Sequence, residues 1–115
     1  MKQNKYIILM KDNRLEFRCG FVFRHADLLD RWDEDRDVIG GGYFRFDTDM
    51  KSAVLYGTSD DFGCPRDMHK NLRACASQVK ERLGDEYYYH FTDEEEMSDD
   101  WQIIFQDKTG RNWKI

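Results

Sequence analysis

The stretch VIGGGYFRFDTDMKSAVLY, residues 38–56, decides the fold. Three consecutive glycines, Gly40, Gly41 and Gly42, open a segment with Phe44 and Phe46 on one face. Tyr43, Arg45 and Asp47 fall on the other face, the period-two pattern of a strand. Asp49 and Lys51 supply a turn, and Ser52 to Tyr56 returns as a second strand. A glycine run at a strand entrance marks backbone of unusual conformation or a bulge.

Upstream, Lys5 to Met10 is a short Ile-rich apolar run, the mark of a buried strand. Lys11-Asp12-Asn13 are turn residues, and Arg14 to Arg18 alternates, so the two segments read as a hairpin. Leu28, Leu29 and Trp32 recur at helical spacing, and Asp27 suits a helix start, which predicts a helix over about 26–35. Downstream, the loop Gly57 to Cys64 leads to Pro65, which fits the first turn of a helix. Met68, Leu72, Cys75, Val79 and Leu83 trace one apolar stripe, and Gly84 stops it. Tyr87 to Phe91 is the next strand. Trp101 to Gln106 and Arg111 to Ile115 suggest a C-terminal hairpin. This order implies an α+β domain, with a mixed or antiparallel sheet and two α-helices packed on it.

The chain of 115 residues has the size of one domain with one core, so residues 1–115 are read as a single unit. Hydrophobic residues make up 40% and charged residues 36%, a balance that excludes a disordered chain. The net charge of −5 argues against a nucleic-acid partner, which needs a clustered basic surface. Much of the excess lies in Asp93, Glu94, Glu95, Glu96, Asp99 and Asp100, a run that reads as a solvated loop. Cys19, Cys64 and Cys75 form no CxxC pair, which fits free thiols in a reducing compartment. The apolar run near the start is too short for a signal peptide or a membrane span, so the expected location is cytoplasmic.

Three features carry chemistry: His25 ahead of the predicted helix, the triple glycine, and the glycine-bounded loop Thr58-Ser59-Asp60-Asp61. Each has a bland reading, as a cap, a bulge and an ordinary turn. Together, His25-Ala26-Asp27-Leu28 with Asp30, Gly40-Gly41-Gly42, Tyr56-Gly57-Thr58-Ser59 and Phe62-Gly63 resemble the phosphohistidine phosphatase (janus/ocnus) family in order and spacing. Lys5-Tyr6 resembles the lysine-tyrosine opening that family's first strand. The resemblance covers about residues 5–91, leaving 92–115 as an extension that reads as added sheet or a self-association edge.

The resemblance implies hydrolysis of phosphohistidine, without a metal or any other cofactor, on a phosphorylated protein or a small phosphoramidate. It makes His25 the general base, an imidazole able to take a proton from water near neutral pH. It places Ser59, Asp60 and Asp61 along a phosphate loop whose backbone N–H groups face the anion, with Ala26 and Gly40 completing the cradle. Lys5 corresponds to the family lysine that contacts substrate, and Thr58 lies in the same loop. Two positions depart from the family pattern. Tyr43 stands where a basic residue commonly follows the glycines, with Arg45 on the same face as a substitute. Asp60 and Asp61 stand where small or apolar residues are usual, and their carboxylates repel a phosphate dianion unless they point outward, pair with Arg66, or favour a cationic phospholysine- or phosphoarginine-like substrate. A catalytically inactive phosphoresidue-binding module of the same fold is the alternative. A metal site drawn from Asp60, Asp61, Asp67 and His69 lacks any established ligand spacing. No membrane partner is expected, and the chain is expected as a monomer or weak dimer.

Overall fold

The computed structural model describes residues 1–63, 68–92 and 102–103. Strands β1 (Gln3–Lys11), β2 (Arg14–Val22), β3 (Val38–Asp47), β4 (Ser52–Tyr56), β5 (Tyr88–Thr92) and β6 (Gln102–Ile103) form one sheet in the order β2-β1-β3-β4-β5-β6. All neighbours are antiparallel except β4 and β5, which run parallel. The sheet is therefore mixed, and the chain is an α+β domain. Helices α1 (Met68–Ala74) and α2 (Ala76–Leu83) make the crossover that a parallel pair requires.

Local chemistry explains the connections. Asp12 and Asn13 both have positive φ, 52° and 62°, which closes β1 and β2 with a two-residue turn matched to strand twist. Gly84, at φ 118°, ends α2. The apolar stripe Met68, Leu72, Cys75, Val79 and Leu83 is buried as its spacing predicts, against Tyr6, Ile8, Phe17, Phe44, Leu55 and Tyr89 on one sheet face. Gln78 fixes α2 at the sheet's outer edge: its amide donates to Leu15 O at 2.8 Å and accepts from Phe17 N at 3.0 Å. That satisfies part of the unpaired rim of β2.

Two expectations are corrected. The apolar stripe is not one helix but two, because Cys75 (φ −110°, ψ 28°) leaves helical geometry between them. The proposed start at Pro65 lies outside the described residues, as do Cys64, Arg66, Asp67, the acidic run 93–100 and most of the C-terminal hairpin; of its strands only Gln102–Ile103 is described, paired with β5.

The helix expected over 26–35 is replaced by two short 3-10 turns, His25–Leu28 and Asp35–Asp37. Aspartates compete here with the helical backbone. Asp30 accepts from Trp32 N at 2.9 Å, and Asp33 accepts from Asp30 N at 2.8 Å. Asp33 is also drawn into the protein. Its buried carboxylate accepts from Lys11 Nζ at 2.8 Å and from both Nη atoms of Arg18, the Nη2 contact being 3.0 Å. Arg18 Nη1 also donates to Leu28 O at 3.3 Å. The turn-rich segment is thereby pinned across β1 and β2, on the face opposite the helices. Lys5, Ile7 and Leu9 are buried beneath it. Among the described residues, no helix is long and apolar enough to cross a membrane.

Candidate active site

His25 sits at the head of this segment and is 1% exposed. Its Nε2 lies 2.7 Å from Gly42 O. A carbonyl only accepts, so Nε2 carries the proton and Nδ1 holds the lone pair. Burial pulls the imidazole below its ordinary value, and the nearby Lys5 charge acts in the same direction. The Gly42 bond and the charges of Asp61 and Asp60 act against that shift. The net effect favours the neutral ring, the form a base requires.

The glycines make this approach possible. A Cβ on Gly41 would stand 2.4 Å from Tyr6 O and 3.3 Å from His25 Cδ2. One on Gly42 would stand 2.6 Å from Tyr56 O. Beyond Tyr56 the chain leaves β4 but stays on the rim of β3. Ser59 N donates to Gly41 O at 2.9 Å, and Gly41 N donates to Gly63 O at 3.1 Å. The loop 57–63 is thus hung on the same glycines that admit His25. Within it, buried Ser59 accepts through Oγ from Asp61 N at 3.2 Å and Phe62 N at 3.0 Å. Thr58 is half-buried beside it.

Lys5 is buried, at 6% exposure, and its Nζ donates to Phe23 O at 2.5 Å. It pairs with no carboxylate among the described residues. Tyr43, opposite Lys5 in the register, joins the groups: its ring meets His25 edge-on at 5.1 Å and lies 5.6 Å from Lys5 Nζ. Its hydroxyl donates to Asp60 Oδ2 at 3.3 Å. The Ala26 N–H donates to Asp61 Oδ2 at 3.1 Å, so a carboxylate stands on the amide next to His25.

Lys5, His25, Ala26, Asp60 and Asp61 are brought together around Tyr43, and buried Gly40 lies one residue from the loop's anchor on β3. Ser59 shapes the loop, its own N–H being taken by Gly41 O. Arg45 is on the expected face but further along: its guanidinium lies over Tyr56, 5.9 Å from the ring centre. There it borders a cavity of about 500 Å³ lined also by Asp47, Met50, Ser52, Val54 and His90, which shares no other candidate residue. Tyr43 as the organising ring, and Arg18 with Asp33 as the clamp on the His25 segment, were not identified from sequence. The side chain of His69, and Asp67, lie outside the described residues.

No family model matches this chain, and no curated protein or solved structure does either.

Proposed function

We propose that the protein hydrolyses the P–N bond of phosphohistidine, with His25 as general base and no metal requirement. The observation that carries this reading is the buried Lys5 ammonium, which has no carboxylate partner among the described residues and lies beside a neutral imidazole of defined tautomer. A buried cation lacking a counter-ion is costly unless an anion joins it. The Ala26 amide, already holding a carboxylate, supplies a second anion contact next to His25.

In this reading the phosphoryl group displaces Asp61 from Ala26 N–H and takes Lys5 as counter-ion. Water held by Nδ1 of His25 gives up a proton as its oxygen bonds to phosphorus. The P–N bond breaks with its electron pair on nitrogen, which receives a proton as imidazole leaves. Phosphoryl transfer asks chiefly for positioning and charge stabilisation, and these residues offer both. Among the described thiols, half-buried Cys19 and buried Cys75 are free, and burial raises both, Cys75 to about 11. That supports the cytoplasm as part of the same proposal. The partner is a phosphorylated protein or a small phosphoramidate.

The second reading, a binding module without turnover, draws on one observation: the Asp61 carboxylate occupies the Ala26 amide. Phosphate release from a phosphohistidine peptide, with and without a strong chelator, separates the two. Chelator-resistant turnover that falls at least about 100-fold in His25→Ala is the expected result. Absence of release by the wild type, or release undiminished in the variant, overturns the hydrolytic reading.

A further inference from the structure

We propose that Asp60 and Asp61 make this site selective for N-phosphoryl groups attached to a cation, above all phosphoguanidinium groups such as phosphoarginine side chains, over phosphoimidazole. The inference rests on the hydrolytic reading above.

The two carboxylates bracket the base. Asp61 stands on the amide of Ala26, the residue after His25, at 3.1 Å, and Asp60 stands on the hydroxyl of Tyr43, whose ring edge packs against His25. Both aspartates are exposed, on a loop whose backbone is held separately by Gly41 and Ser59, so the side chains can turn without unfolding it. Among the described residues, the charges that act most on His25 are one cation, Lys5, and two anions, Asp60 and Asp61. That count opposes a phosphoryl dianion that brings no positive charge with it.

A phosphoguanidinium brings its own. When its phosphoryl group takes Lys5 and the Ala26 amide, Asp61 is released from that amide beside a planar cation one bond from phosphorus. Carboxylates accept from guanidinium nitrogens in paired, directional bonds, and Asp60 offers a second acceptor on the Tyr43 side. The ring of a phosphoimidazole near pH 8 is largely uncharged and gains nothing from either carboxylate. The same two residues thus attract one substrate and repel the other, which is how discrimination is built.

The step balances. Water oxygen bonds to phosphorus, and its proton passes through His25 Nδ1 to the departing nitrogen. The P–N electron pair stays on that nitrogen, leaving a guanidinium and hydrogen phosphate.

The test compares kcat/KM for two peptides of one sequence, bearing phosphoarginine or phosphohistidine, at pH 8. Wild type is expected to prefer phosphoarginine. The double variant Asp60→Asn, Asp61→Asn should lower the phosphoarginine-to-phosphohistidine ratio about tenfold, the effect of removing two partly screened charge contacts. Raising ionic strength should lower the wild-type ratio as well, a check that needs no variant. Turnover of phosphohistidine alone, or an unchanged ratio in the variant, overturns the selectivity and leaves the hydrolytic reading standing. Turnover of neither peptide overturns both.

Discussion

Replacing Gly41 with alanine tests the packing that joins fold to site. The added Cβ would stand 2.4 Å from Tyr6 O, 3.1 Å from Ile7 Cγ2 and 3.3 Å from His25 Cδ2. The first neighbour is backbone of the adjacent strand, so no side-chain rotation relieves the contact. Strands β1 and β3 must part by about 1 Å to restore ordinary van der Waals contact, at the centre of the sheet, where overpacking costs up to about 3 kcal/mol.

For 115 residues the unfolding entropy is about 0.24 kcal/mol/K, so that cost lowers Tm by about 12 °C. With a urea slope of about 1.5 kcal/mol/M, the midpoint falls by about 2 M at unchanged slope. Gly63→Ala is the control. Its φ is +74° but, among the described residues, nothing lies within 4 Å of the new Cβ, so only backbone strain of about 1 kcal/mol is added. Urea unfolding of the three proteins decides the matter. A Gly41→Ala midpoint within about 0.3 M of wild type would refute the close approach of β1 to β3, and with it the explanation of why glycine faces His25.

Three further outcomes follow from the charges. The acid limb of the kcat/KM profile should have its midpoint below the ordinary histidine value of 6.5; Asp61→Asn should move it lower and Lys5→Met higher, because those charges act on His25 in opposite senses. Coincident profiles in all three proteins would remove His25 as the titrating base. Burial lowers His90 to about 4, below its unfolded value, so the unfolded chain binds the extra proton more readily. Stability is then complete above about pH 6.5 and falls through about pH 4, by at most about 3 kcal/mol, and His90→Leu should flatten that slope in urea titrations. Asp33→Ala strips the largely buried Arg18 of its buried counter-ion, leaving its 2.9 Å bond to Glu16, its 3.3 Å bond to Leu28 O and a 4.0 Å contact with Asp30; it should cost about 2–3 kcal/mol and lower turnover, whereas a fully stable, fully active variant would refute the clamp.

How much of this was legible in the sequence depends on the range of the interaction involved. Strand alternation and the helical stripe are local patterns, and Val38–Asp47, Ser52–Tyr56 and the burial of Met68, Leu72, Val79 and Leu83 follow them. The segment 26–35 shows the opposite case. Leu28, Leu29 and Trp32 have helical spacing, yet Trp32 is 73% exposed, so the apolar face that would reward a helix is not buried. What wins is Asp33, whose partners Lys11 and Arg18 lie on β1 and β2 and are far away in sequence. A buried carboxylate with two cations and a backbone N–H outweighs the weak helical preference of a short, aspartate-rich stretch.

The candidate site divides along the same line. The sequence marks Lys5, His25 and the loop from Gly57 to Cys64 as separate pieces, but gives no sign that Tyr43 is where they meet. Its position shows what a tyrosine supplies there that a basic residue would not. A basic side chain there would place a second cation beside Lys5 and His25; a tyrosine gives a ring to both and a hydroxyl to Asp60. A neutral ring at position 43 and two negative charges at 60 and 61 act in one direction. On the proposed reading, each shifts the balance around His25 away from a bare dianion and toward a substrate that carries its own cation.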